Sequence, residues 1–379
     1  MLNPTASTKP GAASALAGMM ACIVALAAIG VVAGVSAARP GDGWSSLSLH
    51  SGHLIIALFG FLISYALPSE RMRSAAPGLL FLVFLILVAM LFTTFGHSSH
   101  NAERWIPLGP ISMQPSVLLQ CLWPVAMATW AARDPLRLTQ PLQLTKLMGG
   151  FGILVLPVLL QPDLGSVLIL IMVTGITLFF AGVSVRFLRV LVPATVGILV
   201  AAAYMFDHVS SRLVKFWQSE ADFQVSRGLE AFATGGLAGR GPGHGELKFG
   251  WVPEGNTDFI FALIAEEWGL FGTGAIWLLF AAFTVFGVIA ARRAECRYGA
   301  ILTAAATVMI SVQAALNMAV VTGIAPPKGL PLPFVSRGGT SVLALSALLG
   351  LAVKACLDKR KSQVPVEEVI PWTESSAAG

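Results

Sequence analysis

Four carboxylates stand close together in one stretch of this chain. Glu254 and Asp258 fall in Pro253-Glu254-Gly255-Asn256-Thr257-Asp258-Phe259-Ile260-Phe261, at the mouth of an apolar run. Glu266 and Glu267 follow about two helical turns inside that run. Desolvating a carboxylate at a membrane boundary costs several kcal/mol, so one is tolerated mainly where it lines a wet cavity, a place in which an acid can do work. The structural alternative is a hydrated helix start, with Thr257 as N-cap and Asp258 in a first turn favoured by the helix dipole. Taken alone, the motif supports both.

The elements that must position these acids follow from composition. Of 379 residues, 56% are hydrophobic and 11% charged, against about a quarter charged in soluble domains. The expectation is an all-α polytopic membrane protein. Apolar runs long enough to span fall at about 17–38, 49–68, 76–95, 115–132, 146–161, 164–182, 187–206, 259–291, 300–322 and 341–357. That makes about ten transmembrane helices. The run at 259–291 is too long for one straight span and implies a tilted or partly re-entrant lead-in. The chain then divides into a tail at 1–16, a membrane domain at 17–357 and a second tail at 358–379. A long outer loop, about 207–258, joins the seventh and eighth spans.

Basic residues divide 15 to 9 between the two alternating sets of loops, and five of the nine lie in the long loop. The positive-inside rule therefore places both termini in the cytoplasm and the long loop outside. The net charge of +5 reflects this bias. No basic stripe with interleaved aromatics is present, which argues against nucleic acid as a partner. Cys22, Cys121, Cys296 and Cys356 show neither a disulfide framework nor metal-ligand spacing. The first apolar run exceeds a signal-peptide core and reads as an uncleaved span.

The outer loops hold the remaining polar signals. All six histidines fall on the predicted outer side; His50 and His53 open the second span, and His97 and His100, three apart, read as solvated interfacial residues rather than a metal pair. Trp105 reads as an interfacial anchor, and Pro115 suits the first turn of the fourth helix. Asp163, in the tight turn Gln161-Pro162-Asp163, either caps the sixth helix or faces a cavity. Val225, Leu229 and Phe232, opposite Gln224, Arg227 and Ala231, predict a short amphipathic helix on the outer leaflet. Gly235 to Gly245 is glycine-rich but lacks a Walker ending and follows no strand, so a nucleotide site is not indicated. The proline- and glycine-rich segment 321–341 cannot be a regular helix, and reads as a rigid hairpin dipping toward a cavity.

Taken together these segments resemble the SEDS family (shape, elongation, division and sporulation), whose members include FtsW and RodA. The resemblance rests on Arg104-Trp105-Ile106, Gly109-Pro110, Gln114-Pro115-Ser116, Gln161-Pro162-Asp163-Leu164-Gly165 and Gln224 with Gly235-Gly236-Leu237. It continues through Pro253-Glu254, Thr257-Asp258-Phe259-Ile260-Phe261, Glu266-Glu267 with Gly269, and Asn317 to Gly323. Pro327-Lys328-Gly329, Leu332-Pro333-Phe334 and Ser336 with Gly338-Gly339 complete it. The Pro-Lys-Gly step is more similar to the FtsW branch than to the RodA branch.

The resemblance implies a ten-helix fold in the bacterial cytoplasmic membrane. It also implies an inverting glycosyltransferase that polymerises lipid II into peptidoglycan strands on the outer side, for cell division or elongation. Implied partners are a class B penicillin-binding protein and other divisome or elongasome membrane proteins. The aspartate of Thr-Asp-Phe is essential in the family, which points to Asp258. Joining a sugar hydroxyl to an anomeric carbon needs a base, and a carboxylate in a wet, partly apolar cavity can serve. Candidate substrate contacts are Arg104, Trp105, Gln114, Asp163, Arg212, Gln224, Glu254, Lys328 and Ser336. No resident cofactor is implied. The leaving diphosphate needs cationic side chains or a divalent ion such as Mg or Mn, and Arg104, Arg212 and above all Lys328 are the basic candidates.

The chain departs from the family pattern in several places. Val117 and Gln120 stand where a glutamate and a lysine are usual, so both partners of an i, i+3 ion pair are exchanged together. Gly52 stands near where an arginine usually opens the second span, Arg337 where a tyrosine is common, and Gly255-Asn256 for Ala-His. These changes keep a second function in view: a non-catalytic carrier of lipid-linked precursors, or an activator of a partner synthase.

Overall fold

A computed structural model describes residues 11–36, 38, 43–92, 97–99, 102–108, 111–161, 163–187, 223–249, 257–326 and 329–358, with isolated positions between 189 and 210. Its helices are α1 (Ala12–Ser36), α2 (Gly43–Ala66), α3 (Ser69–Phe92), α4 (Pro115–Arg133), α5 (Pro141–Leu160), α6 (Leu164–Phe180), α7 (Phe223–Gly235), α8 (Ile260–Arg292), α9 (Arg297–Val321) and α10 (Gly339–Leu357). Seven of these, α1, α2, α3, α5, α8, α9 and α10, are long and apolar enough to cross a membrane. Nine of the ten expected spans coincide with helices; the expected span at 187–206 falls largely outside the described residues.

Burial separates the helices by role. α9 is buried along almost its whole length, with α4, α6, α8 and α10 packed around it. Its Gly299, Ala304, Ala305, Ala306 and Thr307 keep side chains small, which lets neighbouring backbones approach. Gly299 lies on the Ala355 carbonyl of α10, and Gly287 of α8 lies on Thr307. By contrast, α2 turns Ile55, Leu58, Phe59, Leu62 and Ile63 outward. An apolar face left exposed on a helix of this composition is one solvated by lipid. α10 packs along α2, and α1 packs along α8.

The long eighth run has the expected lead-in. α8 is interrupted at Gly269, whose backbone (φ 64°, ψ −157°) only glycine adopts without strain. The break orphans helical hydrogen-bonding groups, and the glycine-rich loop after α7 takes them up. Arg240 and Gly241 donate to the carbonyls of Glu266 and Glu267 at 3.0 and 2.9 Å. Leu270 and Phe271 donate to the carbonyls of Gly236 and Leu237 at 2.9 and 3.2 Å. Irregular backbone in an apolar setting is stable only when paired in this way. A Cβ at Gly239 would stand 2.2 Å from the Glu267 carbonyl, so the loop's glycines serve this close approach rather than phosphate binding.

Three local expectations change. The segment before α4 is not all loop: β1 (His97–Ser99), β2 (Ala102–Leu108) and β3 (Ile111–Met113) form a three-stranded antiparallel sheet. α7 does not simply lie on the leaflet. It packs on α8 and α9 through Val225, Gly228, Ala231 and Gly235. Ala231, placed on the polar face by periodicity, is fully buried, whereas Leu229 is 43% exposed. Tertiary contact with Phe259 and Val321 at Gly228 has turned the helix away from the face its apolar residues predict.

Candidate active site

Asp258 sits in the turn Thr257–Phe259 that leads into α8, and it is half-buried. Phe259, the N-cap residue, is 2% exposed and plugs the turn into the core. The helix start is thus anchored by an apolar side chain, while the residue before it faces the 329–338 hairpin. The hairpin comes so close that a methyl group on Gly329 would stand 2.8 Å from Asp258 Oδ2. A side chain there would push the carboxylate out of its present position.

Asn317, on the last turns of α9, joins the two pieces. Its Nδ2 donates to the Asp258 main-chain carbonyl at 2.8 Å and also to the Leu330 carbonyl. One turn earlier, Gln313 Nε2 donates to the Pro331 carbonyl at 3.1 Å and to Ser341 Oγ at 3.3 Å. Ser336 Oγ accepts from the Leu332 amide at 2.8 Å and closes the hairpin, in which Phe334 takes a positive φ of 63°. Both amides are buried, so the hydrogen bonds they make fix their orientation. Sequence reasoning did not single out Asn317 or Gln313 as site residues. The available signal was two carboxamides at i, i+4 on one face of an otherwise apolar helix.

The other expected contacts distribute as follows. Gln114 and Asp163 meet: Gln114 Nε2 donates to Asp163 Oδ2 at 2.8 Å and Ser116 Oγ to the same oxygen at 3.0 Å. Asp163 Oδ1 accepts from the Ser166 amide at 3.2 Å, capping α6. Both oxygens of this buried acid are therefore occupied, Oδ1 by the α6 cap and Oδ2 by a brace to the start of α4. Ser336 is likewise engaged inside the hairpin. Trp105, partly buried, lies on β2, which packs on α4, while β3 touches α10. Gln224 stands in the first turn of α7. Arg212, Glu254 and Lys328 lie outside the described residues, as does the side chain of Arg104. The structure thus brings Asp258 together with Gly329, Asn317 and the hairpin that ends in Ser336.

Glu266 and Glu267, 1% and 3% exposed, serve the framework. Glu266 accepts the amides of Glu246 and Leu247 at 2.9 and 3.2 Å, with Arg240 at 3.8 Å. Glu267 accepts from Ser36 Oγ at the end of α1 and pairs with Lys248 at 3.4 Å. Lys248 Nζ also donates to the carbonyls of Ser36 and Gly243 at 2.8 and 2.7 Å. Two desolvated acids are stable here because each is paired and hydrogen-bonded. Val117 and Gln120 are also buried, so the apolar–amide exchange removes a charge pair from a site where desolvation would be heavy.

The histidines differ from expectation. α2 starts at Gly43, so His50 and His53 lie inside it; His50 is 2% exposed against Gly34 of α1. His53 Nε2 lies on the Cα of Gly339, where a Cβ would come within 3.1 Å. Arg337, at the end of the hairpin, has its charged form disfavoured by burial, which lowers its pKa below the usual arginine value.

A family model described as cell cycle protein (FtsW, RodA, SpoVE) matches residues 14–361. The chain is 34% identical over 360 residues to the "Probable peptidoglycan glycosyltransferase FtsW" of Saccharophagus degradans, covering 90% of this chain and 92% of the relative. It is 35% identical over 282 residues to the protein of the same description from Marinobacter nauticus, covering 72% and 70%. Its fold is similar to a chain in the structure described as "Structural coordination of polymerization and crosslinking by a peptidoglycan synthase complex", with TM-score 0.76 and 24% identity over 89% of this chain and 96% of that one. It is also similar to the rod shape determining protein RodA of Thermus thermophilus, with TM-score 0.66 and 24% identity over 89% and 95%.

Proposed function

The chain belongs to the FtsW, RodA and SpoVE family of cell cycle proteins, and on that premise we propose that it is a peptidoglycan glycosyltransferase of the FtsW branch. It polymerises lipid II on the outer side of the cytoplasmic membrane. Both termini lie in the cytoplasm in this reading, as the 15-to-9 division of basic residues supports. A class B penicillin-binding protein supplies the crosslinks, by analogy with the synthase complex whose chain this fold matches. The observation that carries the reading is the half-buried Asp258, backed by Gly329 and tied through its own main chain to Asn317.

The chemistry asked of Asp258 is limited. Its carboxylate accepts the proton of the acceptor sugar hydroxyl as that oxygen bonds to the anomeric carbon of the donor. The bond from that carbon to the lipid diphosphate breaks, and configuration inverts. A positioned base contributes about 10²–10⁴-fold to such a step. Because the carboxylate is flanked by a hairpin with fixed geometry, its orientation is set before substrate arrives, which lowers the reorganisation cost. Among the described residues no group of three or more His, Cys, Asp and Glu side chains forms a cation site. A divalent ion such as Mg or Mn would offset charge on the leaving diphosphate, and no step here is routed through it.

The test is polymerisation of labelled lipid II by purified protein, wild type against Asp258→Ala and Asp258→Asn. Polymer from the wild type and a loss of at least 10²-fold in both variants are expected. Equal polymer from all three removes Asp258 from the chemistry. Polymer from none, together with activation of a partner synthase by Asp258→Ala, would favour the non-catalytic activator.

A further inference from the structure

Three nitrogen-bearing side chains near the Asp258 end of the bundle have a buried nitrogen left without a partner among the described residues. His50 Nδ1, His53 Nδ1 and Arg337 Nε are buried without a hydrogen-bond partner. Arg337 lies within electrostatic range of both imidazoles, and it makes no ion pair among the described residues. The other basic groups placed close to buried acids are satisfied: Lys248 meets Glu267 and two carbonyls, and Arg240 meets Glu246 at 2.9 Å and Glu266. A half-buried guanidinium with a buried, unpartnered Nε is a group that an arriving anion stabilises.

The backbone around the cluster points the same way. Arg337 is followed by Gly338 and Gly339, and Gly338 caps α10 without a side chain. A Cβ at Gly339 would touch His53 Nε2, so the imidazole rests against the bare start of a 19-residue helix. The guanidinium, the imidazole edge and the positive end of the helix dipole thus converge on one corner. An imidazole offers an N–H to an anion in either protonation state, and a guanidinium offers a fork that matches phosphate oxygens.

We propose that Arg337 and His53 form the anion-binding corner that holds the diphosphate of the lipid-linked saccharide. The inference rests on the transferase reading for the identity of the ligand, because the hairpin that carries Arg337 also carries Gly329, against which the Asp258 carboxylate lies. A lipid diphosphate held at one end of this hairpin presents its sugar toward the other. A phospholipid headgroup offers the same phosphate chemistry but one phosphate fewer and no sugar to present.

The experiment measures binding rather than turnover. Full-length protein in detergent is titrated with farnesyl diphosphate, with farnesol as the uncharged control and phosphatidylglycerol as competitor. Wild type is expected to bind the diphosphate and not farnesol. Arg337→Gln should weaken binding about tenfold or more, as loss of charge-assisted hydrogen bonds does. Arg337→Lys should retain part of the affinity, and His53→Gln should lose less than Arg337→Gln. A matching unfolding midpoint for Arg337→Lys guards against a folding defect in the glutamine variant. Unchanged affinity in Arg337→Gln, equal binding of farnesol, or full displacement by phosphatidylglycerol overturns the proposal. Because no glycosidic bond forms in this assay, Arg337-dependent binding without lipid II polymer from any variant would overturn the transferase reading alone.

Discussion

Replacing Asn317 by alanine tests whether one amide holds the candidate base in place. Its Nδ2 donates to the carbonyls of Asp258 and Leu330 and so ties the mouth of α8 to the hairpin. Truncation strands two acceptors in a largely buried setting, each at about 1–3 kcal/mol. It also deletes Asn317 Oδ1, itself buried without a donor, which returns about 1–3 kcal/mol on the same scale. The net loss is then about 1–3 kcal/mol, small enough for the helices to stay assembled. The consequence for turnover is larger, since a 1 Å displacement of a catalytic group costs about 10²-fold. Asn317→Asp is the sharper variant: a carboxylate cannot donate, and it faces two carbonyl oxygens. Thermal unfolding of purified protein and lipid II polymerisation are measured side by side. Both variants should lose activity far beyond their loss of stability, with Asn317→Asp at least as impaired as Asn317→Ala. Polymerisation within twofold of wild type in Asn317→Ala would refute the argument that this amide positions Asp258.

Two further outcomes are expected. Gly329→Ala puts a methyl 2.8 Å from Asp258 Oδ2, so kcat should fall at least tenfold while the unfolding midpoint changes little; an unaffected kcat would show that the carboxylate works from another position. Glu267→Gln leaves Lys248, whose side chain is 6% exposed, with its charge unpaired. A loss of about 3–5 kcal/mol is expected from breaking such a pair. The double variant Glu267→Gln/Lys248→Met should recover part of the unfolding midpoint, and no recovery would mean that the two residues are not coupled.

Much of the fold was legible because hydrophobic runs are local. Nine of the expected spans needed only length and apolarity, and the interruption of α8 was visible as a run too long to cross once. Asp258 stood out as a candidate for a related reason: an acid at the mouth of an apolar run is costly wherever the chain goes. The hairpin was readable from its prolines and glycines, which exclude a regular helix. Faces and partners were not readable. Ala231 and Leu229 exchanged roles because α7 packs through Gly228 onto Phe259, and no periodicity records such a neighbour. Asp163, open to two readings, proved to be both a helix cap and a brace, its second oxygen taken by residues from α4 and its N-terminal flank.

By itself, then, the sequence determined where helices must form and which charged groups are expensive, since desolvation depends on a residue and its near neighbours. Only the tertiary structure decided which expense is met by a partner, because partners come from far along the chain. Ser36 reaches Glu267 across 231 positions, and Asn317 reaches Asp258 across 59. His50, His53 and Arg337 share a corner but no counter-charge among the described residues. Distance in sequence carries no information about such meetings; packing alone brings them about.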